Sequence, residues 1–346
     1  MVQQDGDDDT DEALHPRTTA VLFGHTAVEA ALLAAYRSGR MPHGVLIAGP
    51  KGIGKATLAY RLARFVLAHP DPVAQDVQTA ESLELEPANP VARRIAAQAQ
   101  PDLLVIERTV NDRGVLRNQI AVEDIRRTVP FFGSTAGEGG WRIAIVDAVD
   151  DLNRFGANAL LKVLEEPPKR ALLLLVAHSA ARVVPTLRSR CRIVTLRPLA
   201  ERDVAAAAAA ATQSEPDDPS IAAAAAASDG SVARALALLD DGALALRQQA
   251  LDLLAALPAL DVAGLHALGD ALAGTDPQPL TAFLDTINAW LAQRLDAGRG
   301  ELTRLVRLAE VSERINAAAR DAEMYNLERK PLVFSVFGLL AEATHG

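Results

Sequence analysis

Twelve residues constrain this chain more than any others. A short apolar run at 44–48, Gly-Val-Leu-Ile-Ala, passes without a break into Gly49-Pro-Lys-Gly-Ile-Gly54-Lys55. A helical pattern follows over residues 56–67, with Leu58, Leu62, Phe65 and Val66 at helical spacing. Strand, glycine loop and helix in that order open a P-loop α/β domain. Gly49, Gly52 and Gly54 let backbone N–H groups turn inward around phosphate oxygens, and the helix N-terminus behind them adds a favourable dipole. Lys55 would reach the β- and γ-phosphates as a point charge. The next residue should carry a hydroxyl for Mg²⁺, yet it is Ala56. Thr57 stands one step further, turned by about 100° around the helix. These six residues form the candidate nucleotide site, with ATP or ADP as its ligand and no cofactor required. The same glycines and lysine also make sense as a purely structural turn.

Further apolar runs at 103–106, 143–146, 171–177 and 193–196 read as buried parallel strands separated mostly by helical stretches. The expected fold is therefore α/β, a doubly wound parallel sheet. Ala144-Ile145-Val146-Asp147 supplies an apolar strand ending in a carboxylate suited to a metal shell. The water-activating position after it is Ala148, which can neither take a proton nor orient water. Asp150 and Asp151 follow, read as solvated or N-capping residues. One substitution removes metal ligation and the other removes water activation. Hydrolysis by this chain is not expected.

Residues 69–90, with four prolines, read as an insertion that is partly loop. After Pro198 the texture becomes almost wholly helix-compatible, with alanine-rich stretches at 204–212 and 221–227 taken as helices of a small domain. The expected organisation is an acidic disordered tail over 1–13, a P-loop domain over 14–197, a helical lid over 198–242, and an all-helical collar over 243–346. A helical core fits the composition, 49% hydrophobic but only 4% aromatic. Six of the acidic residues lie between Asp5 and Glu12, so the net charge of −9 leaves about −3 for the rest. That balance disfavours a free-standing DNA binder, which needs clustered Lys and Arg. Arg113, Arg117, Arg126 and Arg127 surround a helix expected near 121–129. Its inward face would be Ile120, Val122, Ile125 and Val129, and a solvated face is the default reading for the arginines. No stretch of eighteen apolar residues signals a membrane span, and a soluble cytoplasmic protein is expected.

Asn158-Ala-Leu-Leu-Lys-Val-Leu-Glu-Glu-Pro-Pro168 and Ser189-Arg190-Cys191 resemble two hallmarks of AAA+ clamp-loader subunits of bacterial DNA polymerase III. The stretches Phe23-Gly-His25 and Gly39-Arg-Met-Pro-His43 also look like that family's lead-in. The likeness spans roughly 20–200 and is closest to the delta-prime branch, because the gamma/tau motors keep Thr and Glu where Ala56 and Ala148 stand. It implies a stator in a heteropentamer with gamma/tau and delta subunits, meeting the sliding clamp and primed DNA through that complex. In the family, Arg190 of the motif would be a catalytic arginine finger acting in trans on a neighbour's ATP. An ordinary surface arginine beside Arg188 and Arg192 is the plain alternative.

Departures from the family matter too. Residues 69–101 lack the four cysteines of a zinc module found in many relatives, so no zinc is expected. His178 stands at the first-sensor position and reads as a satisfied surface histidine. Ala233 replaces the second-sensor arginine, with Arg234 one place late. Collar residues Ile287, Trp290 and Leu291 are expected against partner subunits. An active gamma/tau-like motor is the chief rival. A self-sufficient AAA+ DNA-remodelling protein is another, disfavoured because 243–346 shows no basic recognition helix.

Overall fold

The computed structural model describes residues 15–109, 117, 119–133, 140–239, 243–274, 277–297, 302–324 and 327–344. The acidic tail, Arg113 and the Asp240–Gly242 boundary lie outside them. The chain divides into two compact units, Met1–Ala233 and Arg234–Gly346.

The first unit begins with helix α1 (Thr26–Arg37), strand β1 (Gly44–Ala48) and helix α2 (Lys55–Ala68). The insertion then forms two short helices, α3 (Gln75–Thr79) and α4 (Pro90–Ala96), ahead of β2 (Leu103–Ile106). Next come α5 (Val122–Arg126), α6 (Thr128–Gly133) and β3 (Arg142–Asp147). After a 3₁₀ turn at Val149–Asp151, α7 (Arg154–Glu165), β4 (Ala171–Ala177), α8 (Pro185–Arg188) and β5 (Arg192–Thr195) complete the α/β part. Helices α9 (Glu201–Thr212) and α10 (Pro219–Ala227) follow, and α11 (Val232–Leu239) starts at the last residues of this unit and continues into the second.

All five strands are parallel, in the order β2-β3-β4-β1-β5. β1 and β4 are buried along their whole length, which is why both read as unbroken apolar runs. Alternation divides the core between the two faces. Val45, Ile47, Ile143, Ile145, Leu172 and Leu174 pack with α1 and α2 on one side. Leu46, Ala144, Val146, Leu173 and Leu175 pack with Leu160 and Val163 of α7 on the other.

The expected helix near 121–129 is two helices. Arg127 ends α5, and the Thr128 hydroxyl donates to the Ile125 carbonyl at 2.7 Å. That break changes the inward face: Ile120 and Ile125 are buried, Val122 is half-buried and Thr128 is fully buried, whereas Val129 is 44% exposed.

Two arginines of α2 sew the N-terminal lead-in to the domain. Arg61 pairs with Glu29 at 2.6 Å, both side chains nearly buried, and donates to the Ala20 carbonyl. Glu29 also accepts the Leu83 N–H at 3.0 Å. Arg64 donates to the carbonyls of Pro16, Arg17 and Thr19. Burial, then the neighbouring Arg61 charge, pushes its guanidinium down to about 10.

The second unit holds α12 (Ala243–Ala255), α13 (Val262–Ala271), α14 (Pro277–Ala297), α15 (Leu302–Met324) and α16 (Arg329–Thr344). Its core is its own, built on Leu254, Phe283, Ile287, Leu291, Ile315 and Phe337. Ile287 and Leu291 are therefore satisfied within the chain, with Trp290 packed against them, and are not a face waiting for partner subunits. Their helical spacing looked the same for either destination. No helix among the described residues is long and apolar enough to cross a membrane.

Candidate functional site

In a parallel sheet the carboxyl ends of the strands gather at one edge, where the chain leaves into loops. The phosphate loop leaves β1 there, anchored by Gly49 N–H to the Ala177 carbonyl at 3.2 Å. Gly52 and Gly54 have φ of +77° and +91°, conformations open to glycine at little cost. Gly54 is the N-cap of α2, so the first helical residue is Lys55. From outside, His25 Nε2 lies 2.8 Å from the Ile53 carbonyl. The carbonyl of Gly52 accepts the N–H groups of Val232 and Ala233 at 2.9 and 3.3 Å. A Cβ on Gly52 would stand 2.7 Å from the Ala233 Cβ. The start of α11 thus rests directly on the loop. Ala233 is part of that contact, while Arg234 donates to the Asp285 carbonyl within the second unit.

Lys55 is 5% exposed, and its Nζ donates to the Pro50 carbonyl at 2.5 Å. Burial pushes its ammonium down, opposed by Asp147 and Asp150. Burial raises the Asp147 carboxyl above its ordinary value, and Lys55 pulls it back. Ala148, next to Asp147, is buried and apolar. Beside β3 at the same edge, His178 follows directly on the end of β4. The sheet thus gathers Gly49, Gly52, Gly54, Lys55, Ala56, Asp147 and Ala148 at one end, as their motifs imply. Thr57 follows Ala56 on α2, half-buried.

Two expectations here need correction. Asp150 is not solvated: its carboxylate is buried and accepts the N–H groups of His178 and Ser179 at 3.1–3.2 Å. It holds the end of β4, because a buried carboxylate must find donors. His178 is not a satisfied surface histidine either. It is half-buried, and its Nδ1 is buried with no hydrogen-bond partner among the described residues. Burial, then the Lys55 charge, lowers its pKa, so the imidazole is held neutral.

Arg190 occupies the opposite end of the sheet. It precedes β5, whose first residue Arg192 pairs with Val45 near the start of β1. A Cβ on Gly44 would lie 3.5 Å from the Arg190 carbonyl. The full run of β1, about 13 Å at 3.3 Å per step, therefore separates the Arg190 backbone from the start of its own phosphate loop. The guanidinium is exposed, and its Nη2 pairs with Glu165 at 2.8 Å. Its Nη1 donates to the Thr186 carbonyl at 3.1 Å and the Ser189 hydroxyl at 3.4 Å. The Ser189 hydroxyl itself donates to Thr186. Cys191 packs toward Gly44, and burial pushes its thiol up to about 11.

Sequence reasoning passed over Glu29, the role of Glu165, and the seat of α11 on Gly52. Glu165 lay inside a quoted motif, but helical spacing gave it no task. The other two are contacts across 30 to 180 residues, invisible to any local pattern.

The insertion borders a cavity of about 400 Å³ lined by His69, Asp76, Glu84 and Glu86 among others. Among the described residues no group of three or more His, Cys, Asp or Glu side chains is placed to hold a metal.

A parallel sheet carrying a glycine loop, a buried P-loop lysine and a strand-end aspartate, with helical segments after it, defines a P-loop α/β protein. The family model described as "DNA polymerase III, delta subunit" matches residues 24–200, half of the chain, and the chain belongs to that family. Its curated relatives include delta' and gamma/tau subunits of DNA polymerase III. DNA polymerase III subunit delta' of Pseudomonas aeruginosa is 34% identical over 149 residues, 43% of this chain and 41% of that one. The Escherichia coli delta' subunit is 30% identical over 171 residues, 49% of this chain and 47% of that one. The gamma/tau subunit of Mycobacterium tuberculosis is 30% identical over 193 residues, 55% of this chain and 30% of that one. The chain thus spans less than half the length of these curated relatives. Among solved structures, the Thermotoga maritima RuvB Holliday junction branch migration motor aligns at 18% identity with a TM-score of 0.42, over 83% of this chain and 82% of that one.

Proposed function

We propose that this chain is the stator of a bacterial DNA polymerase III clamp loader: it turns over no ATP itself and presents Arg190 to ATP held by a neighbouring gamma/tau subunit. The observation that carries this reading is the place of Arg190, exposed and at the end of the sheet away from its own phosphate loop. From there it serves a second molecule and not its own site. A guanidinium is always charged and offers a planar fork of donors. Brought to a transferring phosphoryl group, it stabilises charge that develops in the transition state.

The chain's own site supports the same division of labour. Its loop N–H groups and Lys55 fit phosphate, so ATP or ADP is a ligand this reading accommodates. Ala56 offers no hydroxyl to a metal, and Ala148 no carboxylate to water. With Mg²⁺, a bound nucleotide would bring its own charge neutralisation, and the residues here would only bind and orient phosphate. The rest of the reading follows the family. It comprises a heteropentamer with gamma/tau and delta subunits, action on the sliding clamp and primed DNA through that complex, a cytoplasmic location, no zinc, and a P-loop domain, lid and collar bounded at 197 and 242.

The test is ATPase turnover of the reconstituted loader with clamp and primed DNA. Arg190→Ala is expected to slow the facing ATP site by on the order of a thousandfold, lowering total turnover by that site's share, while Lys55→Ala leaves it nearly unchanged. The reverse pattern would assign this chain to the motor type.

A further inference from the structure

We infer that Glu165 is a positioning residue for Arg190, fixing one side of the guanidinium so that its remaining donors are presented to the partner's phosphate; the inference rests on the finger role proposed above. Glu165 is the last residue of α7, and the chain turns there into Pro167 and Pro168. Pro-Pro stops the helix and sets where the carboxylate stands. Arg190 follows α8, a four-residue helix opened by Pro185. The two segments come from different motifs, 25 positions apart, and their side chains meet at 2.8 Å. The Thr186 carbonyl and Ser189 hydroxyl take up Nη1 on the same guanidinium.

An exposed arginine free to rotate would sample many rotamers, and each must be abandoned when it docks. Here two points already hold it, through Nη2 and Nη1. Among the described residues no acceptor engages Nε, and Nη2 carries a second N–H. These two adjacent donors are the edge a guanidinium uses for bidentate contact with phosphate oxygens. The side chains are 39% and 49% exposed, so the pair adds little to folding. A weak contact held at the tip of a finger makes better sense as orientation than as stability.

The experiment is the loader ATPase assay with Glu165→Ala, Glu165→Gln and Arg190→Ala, each in the assembled complex, reading kcat and KM for ATP separately. Glu165→Ala is expected to slow the facing ATP site about threefold to fivefold, the size set by an exposed ion pair, lowering total kcat by somewhat less than Arg190→Ala does, with KM unchanged. Glu165→Gln, whose amide oxygen can occupy the same place beside Nη2, is expected to restore most of it. Equal loss in both variants, no loss in Glu165→Ala, or a rise in turnover would overturn the positioning role. If Arg190→Ala leaves kcat unchanged, the finger reading has failed first. If Arg190→Ala is damaging and Glu165→Ala silent, only the positioning role falls.

Discussion

At His178 burial, then the Lys55 charge, lowers the imidazole pKa against the opposing pull of Asp150 and Asp151. A histidine unfolded in water titrates near about 6.5. With the folded value below that, the unfolded chain binds the proton more readily, so acid favours unfolding. The stability tied to neutral His178 is present above roughly pH 6.5 and is lost as the pH falls below that value. The urea midpoint of the first unit is expected to drop between pH 7.5 and pH 5.5, with a smaller drop in His178→Asn. A His178 ring resonance that titrates at or above its ordinary value would contradict this. Residue by residue, Ala56 and Ala148 were legible directly, because they are facts of the sequence itself. Burial was not: Asp150 and His178 look like surface residues until the end of β4 closes over them.

The elements of the first unit were readable because each obeys one period. Apolar runs marked all five strands to within a residue, since a strand buried on both faces has no polar alternation to blur it. α2 and α7 were equally plain. What failed was register after a break: Val129 was placed inward by continuing a helix that stops at Arg127. The destination of a face was likewise closed to sequence, so Ile287 and Leu291 were assigned to partners when the chain covers them itself. Between β3 and α7, Asn153 Oδ1 accepts the N–H groups of Phe155 and Gly156 at 3.0 and 2.9 Å, satisfying donors that α7 cannot satisfy internally. Asn153→Ala is expected to cost about 1 kcal/mol, read as a shift in the denaturation midpoint, and Asn153→Asp far less.

At the scale of the molecule, two units each enclose a separate apolar core. Such a chain has no reason to unfold as one cooperative body. Denaturant is expected to produce two transitions, and Glu29→Ala should move only one of them. Glu29 bridges Arg61 and the Leu83 N–H entirely within the first unit. Losing the nearly buried partner leaves the Arg61 charge with only the exposed Glu84 at 3.5 Å and the Ala20 carbonyl, at a cost of roughly 3 kcal/mol. A single transition displaced as a whole would show that the two cores are energetically one. The division of labour proposed for the chain depends on a separation within the first unit: one end of the sheet holds the phosphate loop with Ala56 and Ala148, and the other carries Arg190.

The lone cysteine adds a practical consequence. Cys191 is partly covered, and its thiol stays protonated well past neutral pH, so it is a slow nucleophile toward alkylating reagents. The chain is in effect a blank for thiol chemistry. A cysteine placed on an exposed position would capture a fluorophore or spin label almost alone, and distances to partner subunits could be followed without first removing the native residue beside Arg190.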